Sequence, residues 1–308
     1  MAKKKVMIMG CGGAAGINFT RCIKDEYYTI GLNTNKLALE FAETDEKYLI
    51  NNNVDRLKYI RETQPDFIHA QPDPEVLWLS RYNFNKLMPS EDVVKVCQDK
   101  FKTAEALAWR GGVYTLKALP NSIRYLLDIY KTVWIRSSKG AGGENHLKTS
   151  DWDTAVKWAE QHEDMIVSPY IAGLNVGVDL VFFNGELKGW LIKERVSYSI
   201  SGANNECGGQ AQIAIARDWK EYKYDAEKAV RIISPMPHGV FGVDFKGEYI
   251  TEINPGRFLT SSLAMFHKSS YNLAKLYVKL GLGEPYELGE YPTDKTILRM
   301  ADCEPKLI

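Results

Sequence analysis

The most constraining feature of the sequence is a short apolar run that leads directly into a glycine cluster. The apolar residues 6–9 are followed by the segment GCGGAAG at 10–16, and a helical pattern then continues to about residue 24. A strand, a glycine-rich turn and a helix in this order form the first half of a βαβ unit. The sequence therefore predicts that the chain begins as an α/β fold.

Further strand and helix patterns extend this unit to about residue 95. Residues 28–32 and 66–70 are predicted strands, and residues 56–63 are a predicted helix between them. We expect residues 1–95 to form a small, doubly wound α/β domain.

The pattern changes after Pro89, where strands begin to occur in pairs. One long helix is predicted over 90–109, ending before Gly111 and Gly112. An Asn-Gly turn at 184–185 predicts a hairpin. The remaining predictions are strands at 132–136, 165–167, 175–183 and 186–195, a helix at 150–162, a second hairpin over 240–253, and helices from about 260.

Composition limits the class of protein. The 308 residues carry 39 Lys+Arg and 39 Asp+Glu, so no overall charge attracts the chain to nucleic acid or to an anionic membrane. Its five cysteines are scattered and never spaced as CxxC, which argues against a disulfide framework or a zinc site. The apolar run near the N-terminus is too short for a signal peptide or a membrane span. We expect a soluble, cytoplasmic protein.

The first glycine cluster is open to two interpretations. It resembles a dinucleotide fingerprint, but NAD binding needs an acidic residue at the end of the second strand. That position reads Gly31-Leu32-Asn33-Thr34-Asn35, and no carboxylate follows until Glu40. The sequence therefore favours glycines that allow a helix to pack closely on the first strand.

A second glycine cluster, SSKGAGG at 137–143, follows Arg136. It lacks the GxxxxGK[ST] order of a P-loop. Small residues allow backbone N–H groups to close on phosphate oxygens, so this loop is a candidate phosphate-binding segment. A mobile surface turn is the alternative.

Carboxylate and amide side chains occur on two apolar strands between residues 239 and 255. Glu252 and Asn254 are two residues apart on one strand and therefore share a face. Asp244 joins them if the hairpin has a three-residue loop with Gly247 left-handed, and points away if the turn is Lys246-Gly247. Such an oxygen-only set suits Mg²⁺. Unrelated polar residues on an exposed face are the alternative.

Together these segments resemble the ATP-grasp superfamily, and most closely the lobe of carbamoyl-phosphate synthase large subunits and related single-chain carboxylate–amine ligases. VMIMGCGGAAGIN and PDFIHAQPDPEV are similar to the family's pre-ATP-grasp domain, and Asp99-Lys100 resembles the start of its ATP-grasp lobe. The resemblance implies a Rossmann-like domain (1–95) and a two-lobed α+β ATP-grasp domain (96–308). The small lobe would span about 103–165 and the large lobe about 166–308.

The resemblance also implies site residues. In the family, cations equivalent to Lys100 and Arg136 reach the ATP phosphates, and Arg257 contacts phosphate or acceptor, so that Arg257 and Arg136 are the implied catalytic residues. The implied nucleotide-binding residues are Lys100, Arg136, Lys139, Gly140, Gly142, Gly143, Pro169, Tyr170, Ile171, Asn175 and Asp179. The implied metal ligands are Asp244, Glu252 and Asn254.

Two positions depart from the family's motifs. Asn175 replaces a Glu that binds ribose, and Gly256 stands where an Arg is usual, with Arg257 one position later. The implied activity is ligation with ATP and Mg²⁺, joining a small-molecule carboxylate to an amine or similar nucleophile. A homodimer is possible, and neither nucleic acid nor membrane is expected as a partner. An ATP-binding module without turnover is the alternative. The acceptor segment is expected within 193–212, which includes Glu194, Arg195, Ser199, Ser201, Asn204, Asn205 and Gln210.

Overall fold

The structure, a computed structural model, describes residues 2–140, 145–198 and 211–299. Within these residues the chain forms one parallel and two antiparallel sheets. The predicted succession of a parallel α/β unit and an α+β region is confirmed. No helix among the described residues is long and apolar enough to cross a membrane.

The N-terminal sheet has four parallel strands in the order β3-β2-β1-β4. Its strands are β1 (Lys5–Met9), β2 (Tyr28–Asn33), β3 (Glu46–Leu49) and β4 (Phe67–Ala70). The helices of this unit are α1 (Ala14–Ile23), α2 (Lys36–Glu40), α3 (Asn53–Thr63) and α4 (Asp73–Ser80). The predicted strands and the predicted helix at 56–63 are confirmed, and β3, α2 and α4 are additional.

The first glycine cluster is a packing device. A Cβ atom on Gly12 would lie 2.0 Å from the Ala38 carbonyl oxygen, and one on Gly16 would lie 2.2 Å from that of Gly10. Gly10 has φ +77 and packs against Pro72. The glycines therefore allow backbone segments to touch, as the second interpretation predicts, and this close packing does not favour a dinucleotide site.

The single helix predicted over 90–109 is wrong, because the structure has two helices there. They are α5 (Glu91–Cys97) and α6 (Lys100–Ala106). The Asp99 side chain accepts hydrogen bonds from the backbone N–H groups of Phe101 and Lys102. This N-cap starts a new helix at Lys100, because a capping Asp adopts an extended backbone conformation that interrupts the preceding helix.

The small antiparallel sheet has the order β5-β8-β6-β7 and is covered by two helices. Asp151 caps the second of them, which is the helix predicted over 150–162. The strand predicted at 165–167 lies in this sheet, so the change of sheet comes after Pro169 rather than at residue 166. The elements are β5 (Leu116–Lys117), α7 (Pro120–Tyr130), β6 (Val133–Ser137), β7 (His146–Thr149), α8 (Trp152–Glu160) and β8 (Met165–Pro169).

The large sheet has the order β13-β12-β9-β10-β11-β14. Both predicted hairpins are present, and Asn184 and Gly185 each have positive φ, as an Asn-Gly turn requires. Its strands are β9 (Asn175–Phe183), β10 (Glu186–Ser197), β11 (Ile213–Arg217), β12 (Gly239–Lys246), β13 (Tyr249–Pro255) and β14 (Thr296–Leu298). The helices are α9 (Lys220–Ile233), α10 (Thr260–His267) and α11 (Leu273–Gly281).

The two faces of the large sheet differ in polarity. One face is apolar and packs on α9 through residues such as Val178, Phe241 and Ile253. The other face is apolar only where Val181 and Val240 share a core with α1, α10, α11 and the N-terminal sheet. Towards the opposite end of the same strands this second face becomes polar, and the candidate site lies there.

Candidate functional site

Four strands of the large sheet place polar residues in register on one face. Asp244 lies opposite Glu252 on one side and Gly177 on the other, and Gly177 lies opposite Lys193. In the next row, Gly242 lies opposite Asn254. Residues directly opposite each other point to the same side of a sheet, so Asp244, Glu252 and Asn254 share one face.

A β-bulge, and neither of the two turns considered from the sequence, brings Asp244 to this face. The hairpin turn is the even, two-residue Gly247-Glu248, because Lys246 pairs with Tyr249. The register then shifts between Asp244 and Phe245, leaving Thr251 as the extra residue on the other strand. The inserted residue reverses the alternation, so Asp244 lies with Glu252 and Asn254 although the turn is neither the three-residue loop nor Lys246-Gly247.

Asp244 has one oxygen bonded and one without a hydrogen-bond partner. Its Oδ2 accepts from Asn254 Nδ2 at 3.1 Å, while Oδ1 is buried and has no hydrogen-bond partner among the described residues. Arg195 Nη2 lies 2.9 Å from Oδ1 as an ionic contact. Burial raises the pKa of the Asp244 carboxyl, against the opposing charge of Arg195. A buried carboxylate oxygen without a donor fits a cation ligand.

Glu252 lies between the other two metal-ligand candidates, Asp244 and Asn254, and the predicted phosphate-binding cations. Lys100 Nζ is 3.9 Å from Glu252 Oε2. Arg136 Nη2 crosses from the small sheet to donate to the Thr251 carbonyl at 2.9 Å, and Arg136 Nε is buried without a hydrogen-bond partner among the described residues. Burial pushes the pKa of Glu252 upward, but the charges of Lys100 and Arg136 outweigh it and leave this pKa lowered.

The described residues hold no cluster of three His, Cys, Asp or Glu side chains suited to a metal. The candidate set instead has the carboxylates Asp244 and Glu252 and the amide Asn254, whose Oδ1 accepts from Arg257 Nη2. Few protein oxygens are typical for Mg²⁺, which usually keeps water and substrate phosphate in its shell. The donor set therefore fits Mg²⁺ shared with a nucleotide.

Lys100 is tied to the start of the second glycine cluster. Its Nζ donates to the Gly140 carbonyl at 2.6 Å, and its backbone N–H donates to the Ser138 carbonyl at 2.8 Å. Ser138 Oγ donates to Asp99 Oδ1 at 2.7 Å, and both side chains are buried. The N-terminus of α6 and the first residues of the glycine loop therefore form one bonded unit.

Arg257 reaches the site because the residue before it is glycine. Gly256 has φ +70, and a Cβ there would lie 2.9 Å from a methyl group of Val76 in α4. Arg257 then bonds Asn254 Oδ1 through Nη2, and its Nε donates to Asp73 Oδ1 at 2.6 Å. The departure from the usual motif thus lets the chain pass close to the N-terminal unit and turn Arg257 inward.

The other predicted nucleotide-binding residues lie around this site at varying distances. Pro169 ends β8, and the Tyr170 N–H donates to the Thr132 carbonyl at 3.0 Å. Ile171 lies near the hairpin turn, where a Cβ added to Gly247 would be 3.9 Å from Ile171 Cγ2. Asn175 Oδ1 accepts from Lys246 Nζ at 3.3 Å.

Lys139 is an outlying member of the predicted set. Its exposed side chain lies 3.9 Å from Asp164, and not beside Asp244 and Glu252. Gly140 has φ +103, and a Cβ added there would meet no atom within 4 Å. Gly142 and Gly143 lie outside the described residues, as do Ser199, Ser201, Asn204, Asn205 and Gln210.

Asp179 is enclosed rather than open to a ligand. It is completely buried, Lys193 Nζ lies 3.1 Å from its Oδ2, and its Oδ1 accepts from the Leu259 N–H at 2.8 Å. Ser262 Oγ also bonds to Oδ2. Gly177 leaves room for Lys193, whose Nζ would lie 3.2 Å from a Cβ there. This geometry does not support the nucleotide contact implied by the motif spacing, and it gives Asp179 the position of an anchor between the sheet and α10.

Sequence reasoning missed Asp73 and Ser262, and it included Ser138 and Lys193 only as members of the glycine loop and the acceptor segment, with no role of their own. Asp73 had a detectable signal, because it follows the buried strand β4, and carboxyl ends of parallel strands are where ligands bind in open α/β sheets. Ser138 and Ser262 have no signal of that kind, since their partners Asp99 and Asp179 are remote in sequence.

The sequence matches the family model described as an ATP-grasp domain over residues 97–261, which is more than half of the chain. This range includes both the cations and the carboxylates of the site. No curated protein matches the sequence.

Three solved structures illustrate the likeness of the overall fold. N5-carboxyaminoimidazole synthetase from Staphylococcus aureus, complexed with ADP, has a TM-score of 0.71 at 15% identity, covering 97% of this chain and 81% of that one. L-amino acid ligase from Bacillus licheniformis has a TM-score of 0.67 at 12% sequence identity, covering 92% of this chain and 75% of that one. The third is the biotin carboxylase domain of Hydrogenobacter thermophilus 2-oxoglutarate carboxylase, complexed with MgADP and bicarbonate. It has a TM-score of 0.68 at 14% sequence identity, covering 96% of this chain and 73% of that one.

At these identities the structural likeness establishes the fold alone, while the family match rests on the sequence itself. The structural likeness covers the parallel N-terminal sheet and the two antiparallel sheets, since it extends over 97% of this chain. The chain therefore belongs to the ATP-grasp family.

Proposed function

We propose that this protein is an ATP-dependent ligase that phosphorylates a carboxylate and joins the resulting acyl phosphate to an amine or similar nucleophile. One observation carries the proposal. Cations from separate elements, Lys100 on α6, Arg136 on β6 and Arg257 after β13, converge on the set formed by Asp244, Glu252 and Asn254.

The charges of this site suit a triphosphate. Four cations, counting Arg195 with the three above, face the three carboxylates Asp73, Asp244 and Glu252. This leaves an excess of one positive charge in a partly buried region, where an anion is attracted more strongly than at an open surface. Asp244, Glu252 and Asn254 would hold Mg²⁺, which supplies further positive charge to the phosphates.

The proposed reaction has two steps. A carboxylate oxygen attacks the γ-phosphorus, the bond to the β,γ-bridging oxygen breaks, and ADP leaves. The amine nitrogen then attacks the acyl carbon, inorganic phosphate leaves, and the nitrogen loses a proton. Lys100 and Arg136 would hold the transferred phosphate and Arg257 the acyl phosphate, so the work of the protein is positioning and charge neutralisation.

The remaining parts of the nucleotide site follow from position. Pro169, Tyr170 and Ile171 join the small sheet to β9, and we assign them to the adenine, with Asn175 beside them. We place the ATP-grasp region at 96–308, with its lobes meeting after Pro169. Small-molecule substrates, a cytoplasmic location and a possible homodimer belong to the same proposal.

The proposed reaction can be detected without knowledge of the natural nucleophile. Purified protein is incubated with Mg-ATP, pools of carboxylic acids and hydroxylamine, which converts an acyl phosphate to a hydroxamate. ADP and hydroxamate should appear together with one pool, and Glu252→Gln should yield neither while retaining its melting temperature, because it removes a ligand charge at nearly constant volume. Wild-type turnover in this variant would contradict the metal assignment.

A nucleotide-binding module without turnover is the competing function, and the replacement of a ribose-binding Glu by Asn175 is the observation that favours it. It predicts that Mg-ATP raises the melting temperature while no acid pool releases ADP. Stabilisation by NAD and not by ATP would instead indicate an oxidoreductase, and the packed first glycine cluster argues against that outcome.

A further inference from the structure

Arg195 and Asp244 form an ion pair that leaves both partners incompletely bonded. Arg195 Nη2 lies 2.9 Å from Asp244 Oδ1. Arg195 Nε and Asp244 Oδ1 are both buried, and neither has a hydrogen-bond partner among the described residues. Buried polar atoms without partners are uncommon, because each costs free energy on folding. This pair is therefore arranged for something besides stability.

The neighbouring ion pair on the same strand shows what a satisfied pair looks like. Glu194 faces away from the site and accepts from Arg217 through both Nε at 2.9 Å and Nη2 at 2.6 Å. Arg195 instead points to the face of Asp244, and a β-bulge interrupts the pairing of β10 with β11 between Arg195 and Ser197. Bulges next to functional sites often redirect a side chain.

We propose that Arg195 is an additional substrate-binding residue: it neutralises Asp244 in the absence of metal, and metal binding frees it for the substrate carboxylate and the acyl phosphate made from it. This inference rests on the proposed ligase function and names an anchor for its acid substrate. The order of events follows, because the acid meets a free guanidinium only after the metal-nucleotide complex has bound.

The exchange has a simple electrostatic basis. A guanidinium and a divalent cation cannot both occupy the position beside Asp244 Oδ1, since they repel each other and compete for the same oxygen. The divalent ion has the larger charge and prefers a carboxylate oxygen. A released guanidinium offers a planar fork of N–H donors, including the Nε that has no partner, and this geometry matches carboxylate and phosphate oxygens.

The first half of the proposal is tested with MnCl₂ alone, in nucleotide-free protein, by counting bound Mn²⁺ from its electron paramagnetic resonance signal. Arg195→Ala should bind Mn²⁺ about tenfold more tightly than wild type, because the competing cation is gone. Arg136→Ala removes an equal charge that does not touch Asp244, and Arg217→Ala removes a neighbouring arginine on the other face. Because salt screens buried charges only weakly, the through-space contribution is taken from Arg136→Ala, and the additional tightening in Arg195→Ala measures the contact.

A larger tightening in Arg195→Ala than in Arg136→Ala or Arg217→Ala supports the exchange. Equal Mn²⁺ affinity in Arg195→Ala and wild type, or equal tightening in Arg136→Ala, would overturn it. Neither result depends on turnover, so a failure here is distinct from a failure to release ADP.

The second half is tested with acetyl phosphate as the probe of the acyl phosphate. In wild-type protein, acetyl phosphate should raise the melting temperature only when Mg-ADP is present, because Arg195 is otherwise held by Asp244. At saturating Mg-ADP, which Arg195→Ala should bind at least as tightly as wild type does, this variant should lose the response, and Arg195→Lys should recover little of it, because lysine lacks the fork. An equal response in Arg195→Ala, a response without metal, or none in wild type would overturn this half.

Discussion

Asp73 and Arg257 are 184 residues apart in the chain, and Arg257 Nε donates to Asp73 Oδ1 at 2.6 Å. The contact joins the carboxyl end of the parallel sheet to the segment that follows the metal-ligand candidates. Asp73 therefore also restricts the side-chain conformations of Arg257, whose Nη2 bonds Asn254. The N-terminal unit therefore holds Arg257 in place as well as packing against the large sheet.

Asp73→Asn should weaken use of the acid substrate more than use of ATP. Loss of a charged hydrogen bond costs roughly 1.5–3 kcal/mol, so kcat/KM for the acid should fall about 10- to 150-fold with the KM for ATP unchanged. Steady-state kinetics with each substrate varied in turn checks this. Glu91→Gln, which breaks the more exposed pair with Arg81, serves as the control. A parallel rise in the KM for ATP would mean that Asp73 does not act through Arg257.

Lys100→Ala and Arg136→Ala should each weaken ATP binding by roughly 1.5–3 kcal/mol, or about 10- to 150-fold in affinity, if both cations contact the phosphates. Arg136→Lys should also be impaired if the contact is bidentate, because a lysine cannot reproduce the fork. Calorimetric titration with Mg-ATP measures the effect. Unchanged affinity in both alanine variants would count decisively against this assignment.

Asp99→Ala should cost both stability and nucleotide affinity, because Asp99 caps α6 and also bonds Ser138. Loss of an N-cap costs about 0.5–2 kcal/mol of unfolding free energy, which urea denaturation measures. Ser138→Ala keeps the cap but removes the bond to the glycine loop, so it should raise the KM for ATP with a smaller loss of stability. If Ser138→Ala leaves that KM unchanged, the bonded unit does not position Lys100.

Stability should fall as the pH is lowered below neutrality because of His69. This side chain is completely buried, it stacks on Phe19, and burial lowers its pKa to about 3 from an ordinary value near 6.5. Between these two values the unfolded chain binds a proton that the folded protein does not. The free energy of unfolding should therefore fall by about 1.4 kcal/mol per pH unit below pH 6.5. Above pH 6.5 the contribution of His69 to this free energy no longer changes with pH.

The measurement is urea denaturation at pH 7.5 and 5.0, a window in which most carboxylates remain ionised. His69→Asn should be less stable at pH 7.5, because it loses the ring contacts, but should show a smaller change between the two pH values. The same pH dependence in both proteins would show that another group is responsible.

The sequence by itself determined several features that depend on local order or on alternation along one strand, although it missed the local break at Asp99 between α5 and α6. The strand and glycine cluster at residues 6–16 predicted the parallel unit, and Asn184-Gly185 predicted the hairpin of β9 and β10 in the large sheet. Glu252 and Asn254 had to share a face because side chains alternate along a strand. These inferences hold because the interactions that decide them act between residues close in the chain.

Tertiary structure decided the rest. Asp244 reaches its partners through a bulge at Thr251, and a register shift leaves no mark in composition or spacing. Asp179 matched a motif by spacing, yet Lys193 and Ser262 enclose it, since burial depends on which elements pack together. In the sequence, Gly256 is only a departure from the family's motif, and its close packing against Val76 in the structure explains why a glycine stands there. Contacts between residues far apart in the chain depend on how the sheets and helices are placed in space, and alternation along one strand does not specify that placement.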